Sequence, residues 1–354
     1  MKRRSFLTGA AAGLGAALLP DVSGPVRATS APANGMFEDI GQISAGNHQL
    51  PTVIATGGEA LTIVAQSRYP VTSPDVNVDK GAADIVTFRS VDGGRTWSSG
   101  GNVHDAGGQA GECGYATVVT MIGGTLVALY TAGPQNWEPS DLVLHQRASD
   151  DGGQTWGDVS FPAVTSDHVN GLPTNGGKGF TLPTGRVVVP GRACLLYSDD
   201  DGRTWTATPE FAETVETKAQ PARREGMTTL VPWRTRDRVG RMGRVRVTNQ
   251  YKYRGTVTHD FGGENNIGFV RYDDRTLLMT VSRDSQLYIR RSVDEGRTWA
   301  NEKLITSSAP SARYSDIAVT DDGTIVVAYM SNHRVVANAA PLHVVRFDLD
   351  WLTR

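Results

Sequence analysis

One eight-residue box, written four times, constrains this chain more than anything else in it. Ser90-Val91-Asp92-Gly93-Gly94-Arg95-Thr96-Trp97 returns as Ser149-Asp150-Asp151-Gly152-Gly153-Gln154-Thr155-Trp156. It returns again as Ser198-Asp199-Asp200-Asp201-Gly202-Arg203-Thr204-Trp205 and as Ser292-Val293-Asp294-Glu295-Gly296-Arg297-Thr298-Trp299. The shared pattern is S-x-D-x-G-x-T-W. Successive copies begin about 50–60 residues apart and the last gap is about two units wide, so one copy is hidden between Trp205 and Ser292. Repeats of this length with β-rich interiors point to propeller blades or arrays, whose units bury their faces on one another. Each box reads as a hairpin turn. Its Ser and Asp side chains bond backbone N–H groups and its Gly supplies positive φ. Thr-Trp then starts a strand, with the indole expected to cover the gap to the next unit. The box is structural and carries no chemistry. It is not a calcium loop, because it lacks the D-x-[DN]-x-[DN]-G spacing and the glutamate that closes such a loop.

The segments between boxes sort into six units. A lead-in strand is expected over 37–43. Unit one spans 48–110, with strands at 61–65 and 84–89. Unit two spans 111–164, with strands at 115–121, 125–130 and 142–147. Unit three spans 165–212 and carries Gly179–Leu182 and Arg186–Pro190. Unit four spans 213–262, with strands at 227–232 and 244–251, and ends in Thr258-His259-Asp260-Phe261-Gly262, the candidate for the hidden box. Unit five spans 263–305. Unit six covers the rest, with strands at 317–319, 324–329 and 343–347. Six units and a stray N-terminal strand predict an all-β, six-bladed propeller whose ring closes by pairing the chain ends, which removes free sheet edges. The domain runs over 34–354.

Residues 1–33 read as a leader. Lys2-Arg3-Arg4-Ser5-Phe6-Leu7 is a twin-arginine signature before an apolar run from Leu7 to Leu19 that is too short to span a membrane. Cleavage is expected near Ala28 or Ala33, giving a secreted or periplasmic protein exported in the folded state. That compartment permits a disulfide between Cys113 and Cys194, which lie in different units; the pairing stays open. A thiol nucleophile is discarded because no activating His stands near either Cys in sequence. The net charge of −2 gives no reason to expect nucleic acid. Residues 234–254 hold seven Arg and one Lys against one Asp. They read either as a solvated loop and strand face or as a groove for an anionic sugar polymer.

The boxes, their spacing and the strands around them resemble the sialidase (neuraminidase) superfamily over roughly 45–354. Gly179-Phe180-Thr181-Leu182-Pro183-Thr184-Gly185-Arg186-Val187-Val188-Val189-Pro190-Gly191 is similar to the third blade of bacterial members. Tyr314-Ser315, Asp322-Gly323-Thr324 and Phe347-Asp348-Leu349-Asp350-Trp351-Leu352 resemble their last blade. The resemblance implies retaining exo-hydrolysis of a terminal sialic acid. In that chemistry a tyrosine attacks the anomeric carbon, a glutamate serves as its base, an aspartate acts as acid and base, and three arginines clamp the sugar carboxylate. Sialidases with a Tyr nucleophile depart from the two-carboxylate scheme. A neutral phenol suits an anionic substrate, which would repel a carboxylate nucleophile.

Carried over residue by residue, the resemblance assigns Asp79 as acid/base, with Asp75 as a rival. It assigns Tyr314, in Ala312-Arg313-Tyr314-Ser315, as nucleophile. Glu216 is the base, with Glu213, Glu225 and Glu264 in competition. Arg68, Arg234 and Arg283 line the pocket or clamp the substrate. Two departures stand out. Where family members carry Phe/Tyr-Arg-Ile-Pro, this chain has His48-Gln49-Leu50-Pro51. Where they end a last-blade strand in Leu-Tyr-Glu, it has Ala328-Tyr329-Met330. An arginine and its carboxylate partner are missing together, which avoids an unpaired buried charge and implies a changed pocket around Gln49. The expectation is a monomeric sialidase-type hydrolase without metal or cofactor, acting on a terminal acidic sugar. The alternatives are the same machinery on a different acidic sugar, or a carbohydrate-binding propeller without turnover.

Overall fold

A computed structural model describes residues 35–70, 81–106, 111–113, 115–134, 141–166, 175–182, 184–210, 214–221, 228–235, 240–246, 252–257, 267–306, 311–331 and 340–354. β1 (Phe37–Gln42) is the expected lead-in strand. The first sheet is β2 (His48–Gly57), β3 (Ala60–Arg68), β4 (Ala83–Ser90) and β5 (Ser98–Ser99), in that order. The second holds β6 (Gly111–Cys113), β7 (Tyr115–Thr120), β8 (Leu126–Pro134) and β9 (Val143–Ser149). β10 (Ala163–Thr165) crosses to the edge of the third sheet, while β11 (Asn175–Lys178) lies parallel to β7 in the second. The third sheet is completed by β12 (Phe180–Thr181), β13 (Val187–Pro190), β14 (Leu195–Ser198) and β15 (Thr204–Ala207). The fourth holds β16 (Thr214–Thr217), β17 (Gln220–Pro221), β18 (Thr228–Thr235), β19 (Gly240–Arg246) and β20 (Lys252–Val257). The fifth is β21 (Phe269–Arg271), β22 (Leu277–Arg283), β23 (Gln286–Ser292) and β24 (Ala300–Leu304). The sixth is β25 (Arg313–Val319), β26 (Ile325–Met330) and β27 (Leu342–Phe347), joined by β1, which pairs antiparallel with β27.

Strand alternation explains how the sheets stack. On β3, Leu61, Ile63 and Ala65 face the sixth sheet and pack with Val326, Ala328 and Val344. Val64, on the other face, packs with Val118 and Leu126 of the second sheet. A strand covered on both faces needs apolar residues at nearly every position, which is why β3 reads as an almost unbroken hydrophobic run. The same device repeats. Buried clusters join the second sheet to the third, the third to the fourth, the fourth to the fifth and the fifth to the sixth. Each fully buried Leu, Ile or Val contributes roughly 1.5–3 kcal/mol.

The boxes fold as the sequence dictates. In the first, Ser90 Oγ donates to Asp92 Oδ1 (2.7 Å) and accepts from Gly94 N (2.9 Å). Asp92 Oδ1 also accepts from Arg95 N and Thr96 N, and Thr96 Oγ1 donates to Asp92 Oδ2 at 2.6 Å. Partial burial raises the Asp92 pKa, but the hydrogen bonds from Thr96, Ser90 and Arg95 outweigh it and bring it down to about 2. Gly94 has φ +86, and a Cβ there would stand 3.2 Å from Val326 Cγ1 of the sixth sheet. Glycine is therefore required both for its backbone conformation and for its close approach. The indoles correct one expectation. Trp205 is 1% exposed and its Nε1 donates to Gln146 Oε1, on β9 of the preceding sheet. Trp97, Trp156 and Trp299 likewise pack on the clusters shared with the preceding sheet. Each box closes the gap behind it, not ahead of it.

Three other outcomes differ from or fall outside the sequence reading. The chain ends in a short helix, α1 (Leu349–Thr353), capped by Asp348, whose Oδ1 accepts from Trp351 N at 2.6 Å. Cys194 is a buried thiol, not half of a disulfide, and burial pushes its pKa up to about 12; the side chain of Cys113 lies outside the described residues. The Thr258–Gly262 segment offered as the hidden box also lies outside them. The arginine-rich stretch belongs largely to the β18–β19–β20 meander.

Candidate active site

The boxes follow β4, β9, β14 and β23 and mark one end of the fold. Gln49, Arg68, Arg283 and Tyr314, each at the strand end away from a box, stand at the other. β2 and β25 fix the geometry. Val53 N donates to Asp316 Oδ2 (3.0 Å) and Gly58 N to Asp321 Oδ2 (2.7 Å), partners 263 residues apart in both cases. The two strands therefore run side by side in the same direction, and the start of β2, with Gln49, is level with the start of β25, with Arg313 and Tyr314. Each strand carries a bulge at that level. The β2–β3 register shifts between Gln49 and Thr52, and the β25–β26 register shifts between Arg313 and Ser315. Both bulges contain a non-glycine residue in the left-handed region: Leu50 at φ 46 and Tyr314 at φ 45. Such a residue costs of order 1–3 kcal/mol and persists only where its surroundings enforce it. Bulges next to active sites re-aim side chains. Tyr314 is the extra residue of its bulge, half-buried against the cluster between the sixth and first sheets.

Around it the first sheet supplies a polar network. Gln49 is directly opposite Gln66 on β3, and both are buried. Gln49 Nε2 donates to Asn47 Oδ1 (3.2 Å), and Arg68 Nε donates to Gln66 Oε1 (2.7 Å). Arg68 N donates to Asn47 O (2.9 Å), so Gln49 and Arg68 both bond Asn47 at this strand end. Next to it, the turn between β22 and β23 is tied to β25. Ala312 N donates to Ser285 O and Ser282 Oγ donates to Ala312 O, both at 2.9 Å. This brings Arg283, the last residue of β22, to the same end. Its guanidinium, however, is bonded to Glu302 Oε1 at 2.5 Å and lies 4.6 Å over the Tyr288 ring. Glu302 is on β24, at the outer edge of the sheet, and also binds Arg290. Arg283 is held toward that edge. In the fourth sheet Glu216 and Arg234 are direct cross-strand partners on β16 and β18, a placement that favours opposite charges. Their side chains, and all of Asp79, lie outside the described residues.

Two features escaped the sequence. Arg313 is 4% exposed, beside Tyr314 and directly opposite Met330. The other is a buried ion pair beneath it. Lys178 Nζ on β11 meets Asp316 Oδ1 at 2.5 Å, with both side chains under a tenth exposed. Burial lowers the Lys178 pKa, and the neighbouring Asp316 opposes that shift. Asp316 thereby joins β25, β2 and β11, and Gly177 N donates to Thr52 Oγ1 (2.9 Å) alongside. Lys178 lies in Asn175-Gly176-Gly177-Lys178-Gly179, which reads as a loop; adjacency to Tyr314 was the only signal for Arg313.

Among the described residues no group of three or more His, Cys, Asp or Glu could hold a metal ion, and no helix is long and apolar enough to cross a membrane.

Box-bearing sheets joined face to face, with a strained tyrosine bulge at the end away from the boxes, define a sialidase-like scaffold, and comparison agrees. The BNR repeat-like domain family model matches residues 77–350, and the chain belongs to that family. No protein of curated function matches it in sequence. The NanB sialidase from Streptococcus pneumoniae superposes with a TM-score of 0.68 at 13% identity, over 93% of this chain and 71% of that one. The Hadza microbial sialidase Hz136 gives 0.65 at 18% identity, over 84% and 65%. Trypanosoma rangeli sialidase gives 0.65 at 16% identity, over 87% and 56%. The chain thus spans just under two thirds of Hz136 and somewhat over half of the trypanosomal enzyme. At these identities the likeness is one of fold: this is the sialidase-superfamily fold.

Proposed function

We propose that this chain is a secreted, monomeric, retaining exo-glycoside hydrolase of the sialidase type, built as a closed six-bladed propeller. Ring closure is supported by the buried clusters, which link each sheet to the next and the sixth to the first, and by β1 in the last sheet. Export through the twin-arginine pathway rests on Lys2–Leu7. The observation that carries the functional reading is Tyr314. It is a tyrosine held at φ 45 in a bulge, at the end where Gln49, Arg68 and the backbone of Glu216 and Arg234 also stand.

In the proposed mechanism Asp79 protonates the glycosidic oxygen while Tyr314 gives its proton to Glu216 and attacks the anomeric carbon. Water then hydrolyses the glycosyl–tyrosine bond with Asp79 as base. The substrate is a glycan ending in an acidic sugar, sialic acid being the type. One observation favours a different acidic sugar. Gln49 and Met330 replace a charged pair, and Arg283 is held by Glu302. A panel of aryl glycosides of acidic and neutral sugars tests the reading. Turnover of an acidic member is expected, and Tyr314→Phe should lower it by at least ~100-fold without unfolding the protein. An undiminished rate in Tyr314→Phe would refute the assignment. Binding without any turnover would favour a non-catalytic lectin-like propeller.

A further inference from the structure

We infer that Lys178 is a positioning residue for Tyr314, acting through Asp316 to hold the bulge that aims the phenol. The inference rests on the Tyr314 reading above and goes beyond it by naming what keeps the nucleophile in place. The strand ladder does not set where Tyr314 points. Its register passes directly from Arg313↔Met330 to Ser315↔Tyr329, so the extra residue between them takes its direction from whatever holds its neighbours. Those neighbours are pinned from both flanks. On the fifth-sheet side Ala312 N donates to Ser285 O, Ala312 O accepts from Ser282 Oγ, and Ser315 Oγ lies 2.6 Å from Thr280 Oγ1. On the first-sheet side the pin is Asp316, two residues after Tyr314. One of its oxygens accepts from Val53 N, three residues after the other left-handed residue, Leu50, so this bond ties the two strained strand ends together. The other oxygen meets Lys178 Nζ.

Lys178 itself has a firm footing. β11 runs parallel to β7 with Lys178 opposite Val118, and Gly177 N donates to Thr52 Oγ1 on β2 at 2.9 Å. A fixed ammonium sets the Asp316 carboxylate, and the carboxylate sets the strand two residues from the phenol. Apolar side chains of similar size would fill this space equally well, because replacing a buried ion pair by apolar groups is often neutral for stability. What they lack is direction. A charge-assisted hydrogen bond fixes a distance and an angle, whereas apolar contacts let a strand end slide. A nucleophile must stand about 3–3.5 Å from the carbon it attacks, and a displacement of ~1 Å can cost on the order of 100-fold in rate. The charged pair therefore serves the aim of Tyr314 rather than the stability of the fold.

The test separates position from stability. Lys178→Met combined with Asp316→Asn removes both charges and keeps an acceptor for Val53 N. The substrate is an aryl glycoside that wild type cleaves in the panel above, at saturating concentration. First-turnover release of its aryl alcohol reports formation of the glycosyl–tyrosine bond. The double variant should release it ~10- to 100-fold more slowly than wild type. Its melting temperature should stay within about 3 °C of wild type, and its Kd for the released sugar within ~3-fold. A folded double variant with the wild-type first-turnover rate overturns the inference and leaves Tyr314 standing as nucleophile. A loss of rate matched by an equal loss of sugar binding overturns it too, because that marks a general distortion of the pocket. Should the double variant not fold, Thr52→Val takes its place. It takes the acceptor from Gly177 N, loosens β11 and should slow the first turnover by at least ~3-fold, and an unchanged rate refutes the role given to Lys178. A wild type that cleaves no acidic glycoside, or a Tyr314→Phe variant as fast as wild type, sinks the functional reading and the inference together.

Discussion

Replacing Asp316 by Asn should be among the most damaging single changes in this fold that leaves volume untouched. Asparagine can still accept from Val53 N through its side-chain oxygen, so that hydrogen bond survives. What disappears is the charge that faces Lys178. Its ammonium would then stand in a site where the side chain is 8% exposed. Breaking a buried pair from one side costs about 3–5 kcal/mol. With an unfolding entropy of about 2.1 cal/mol/K for each of the 354 residues, that corresponds to a drop of roughly 4–7 °C in melting temperature. The defect should depend on pH in a definite direction. Burial already lowers the Lys178 pKa and Asp316 opposes the shift, so the variant lowers it further. The folded state then binds that proton less readily than the unfolded chain. Stability lost at neutral pH should return as pH rises toward the unfolded lysine value, about 10.4. Adding Lys178→Met to Asp316→Asn removes the stranded charge and should recover most of the loss, because apolar replacements of buried pairs are often neutral. Urea unfolding at pH 7 and pH 9.5 for wild type, both single variants and the double variant measures all of this. A single Asp316→Asn variant within ~1 kcal/mol of wild type at pH 7, or a double variant as unstable as the single, would show that the pair is not what ties these three strands together.

Two further outcomes follow from the boxes. Asp92 and Asp200 have folded pKa values near 2, Asp92 despite a rise from burial and Asp200 chiefly through Thr204. The stability they supply is present above the unfolded aspartate value, about 3.9, and is lost as pH falls toward 2. Asp92→Asn should therefore flatten the acid limb of a melting-temperature profile between about pH 4 and 2 relative to wild type, and an unchanged limb would rule the box carboxylates out as its source. Gly94→Ala should destabilise by ~1–2 kcal/mol from its positive φ alone, with a further penalty from Val326 3.2 Å away. A melt indistinguishable from wild type would mean that the turn relaxes around the methyl group.

The parts of the fold legible in sequence are those set by local rules. The box fixes its own hydrogen bonds, since every donor and acceptor lies within a few residues. The runs Leu61–Ala65 and Thr324–Tyr329 signal strands buried on both faces, and Phe37–Ile43 signals the pairing of the chain ends. What stayed hidden depends on partners far away in sequence. Nothing in a box says whether its indole turns backward or forward. That is decided by Gln146, 59 residues from Trp205. Arg283 lies where the family pattern wants it, but Glu302, 19 residues on, directs its guanidinium. Lys178 reads as a loop residue until Asp316, 138 residues on, comes against it. Tyr314 could be picked out from its neighbours. Its left-handed backbone could not, because that follows from how β25 and β26 pair. The helix α1 is five residues long and carries no periodic signal of its own.

The pairing of β1 with β27 has a consequence for how the molecule comes into being. The sixth sheet holds strands from both extremes of the chain, and Asp348 Oδ2 accepts from Gly35 N and Met36 N at 3.0 Å while its other oxygen caps α1. Sheets one to five can assemble in order as synthesis proceeds, but the sixth is incomplete until β27 has been made. The first strand must wait, unpaired, for the whole of that time. Contacts of such sequence separation come late and slowly. The same arrangement sets Gly35 beside Asp348, so a short linker from α1 to Gly35 could join the two ends of the described domain, and the chain could be opened instead at an exposed box turn such as Asp150–Gly152. In that permuted chain β1 would follow soon after β27 and wait for nothing, and the order of assembly would change while the strand pairings stayed the same.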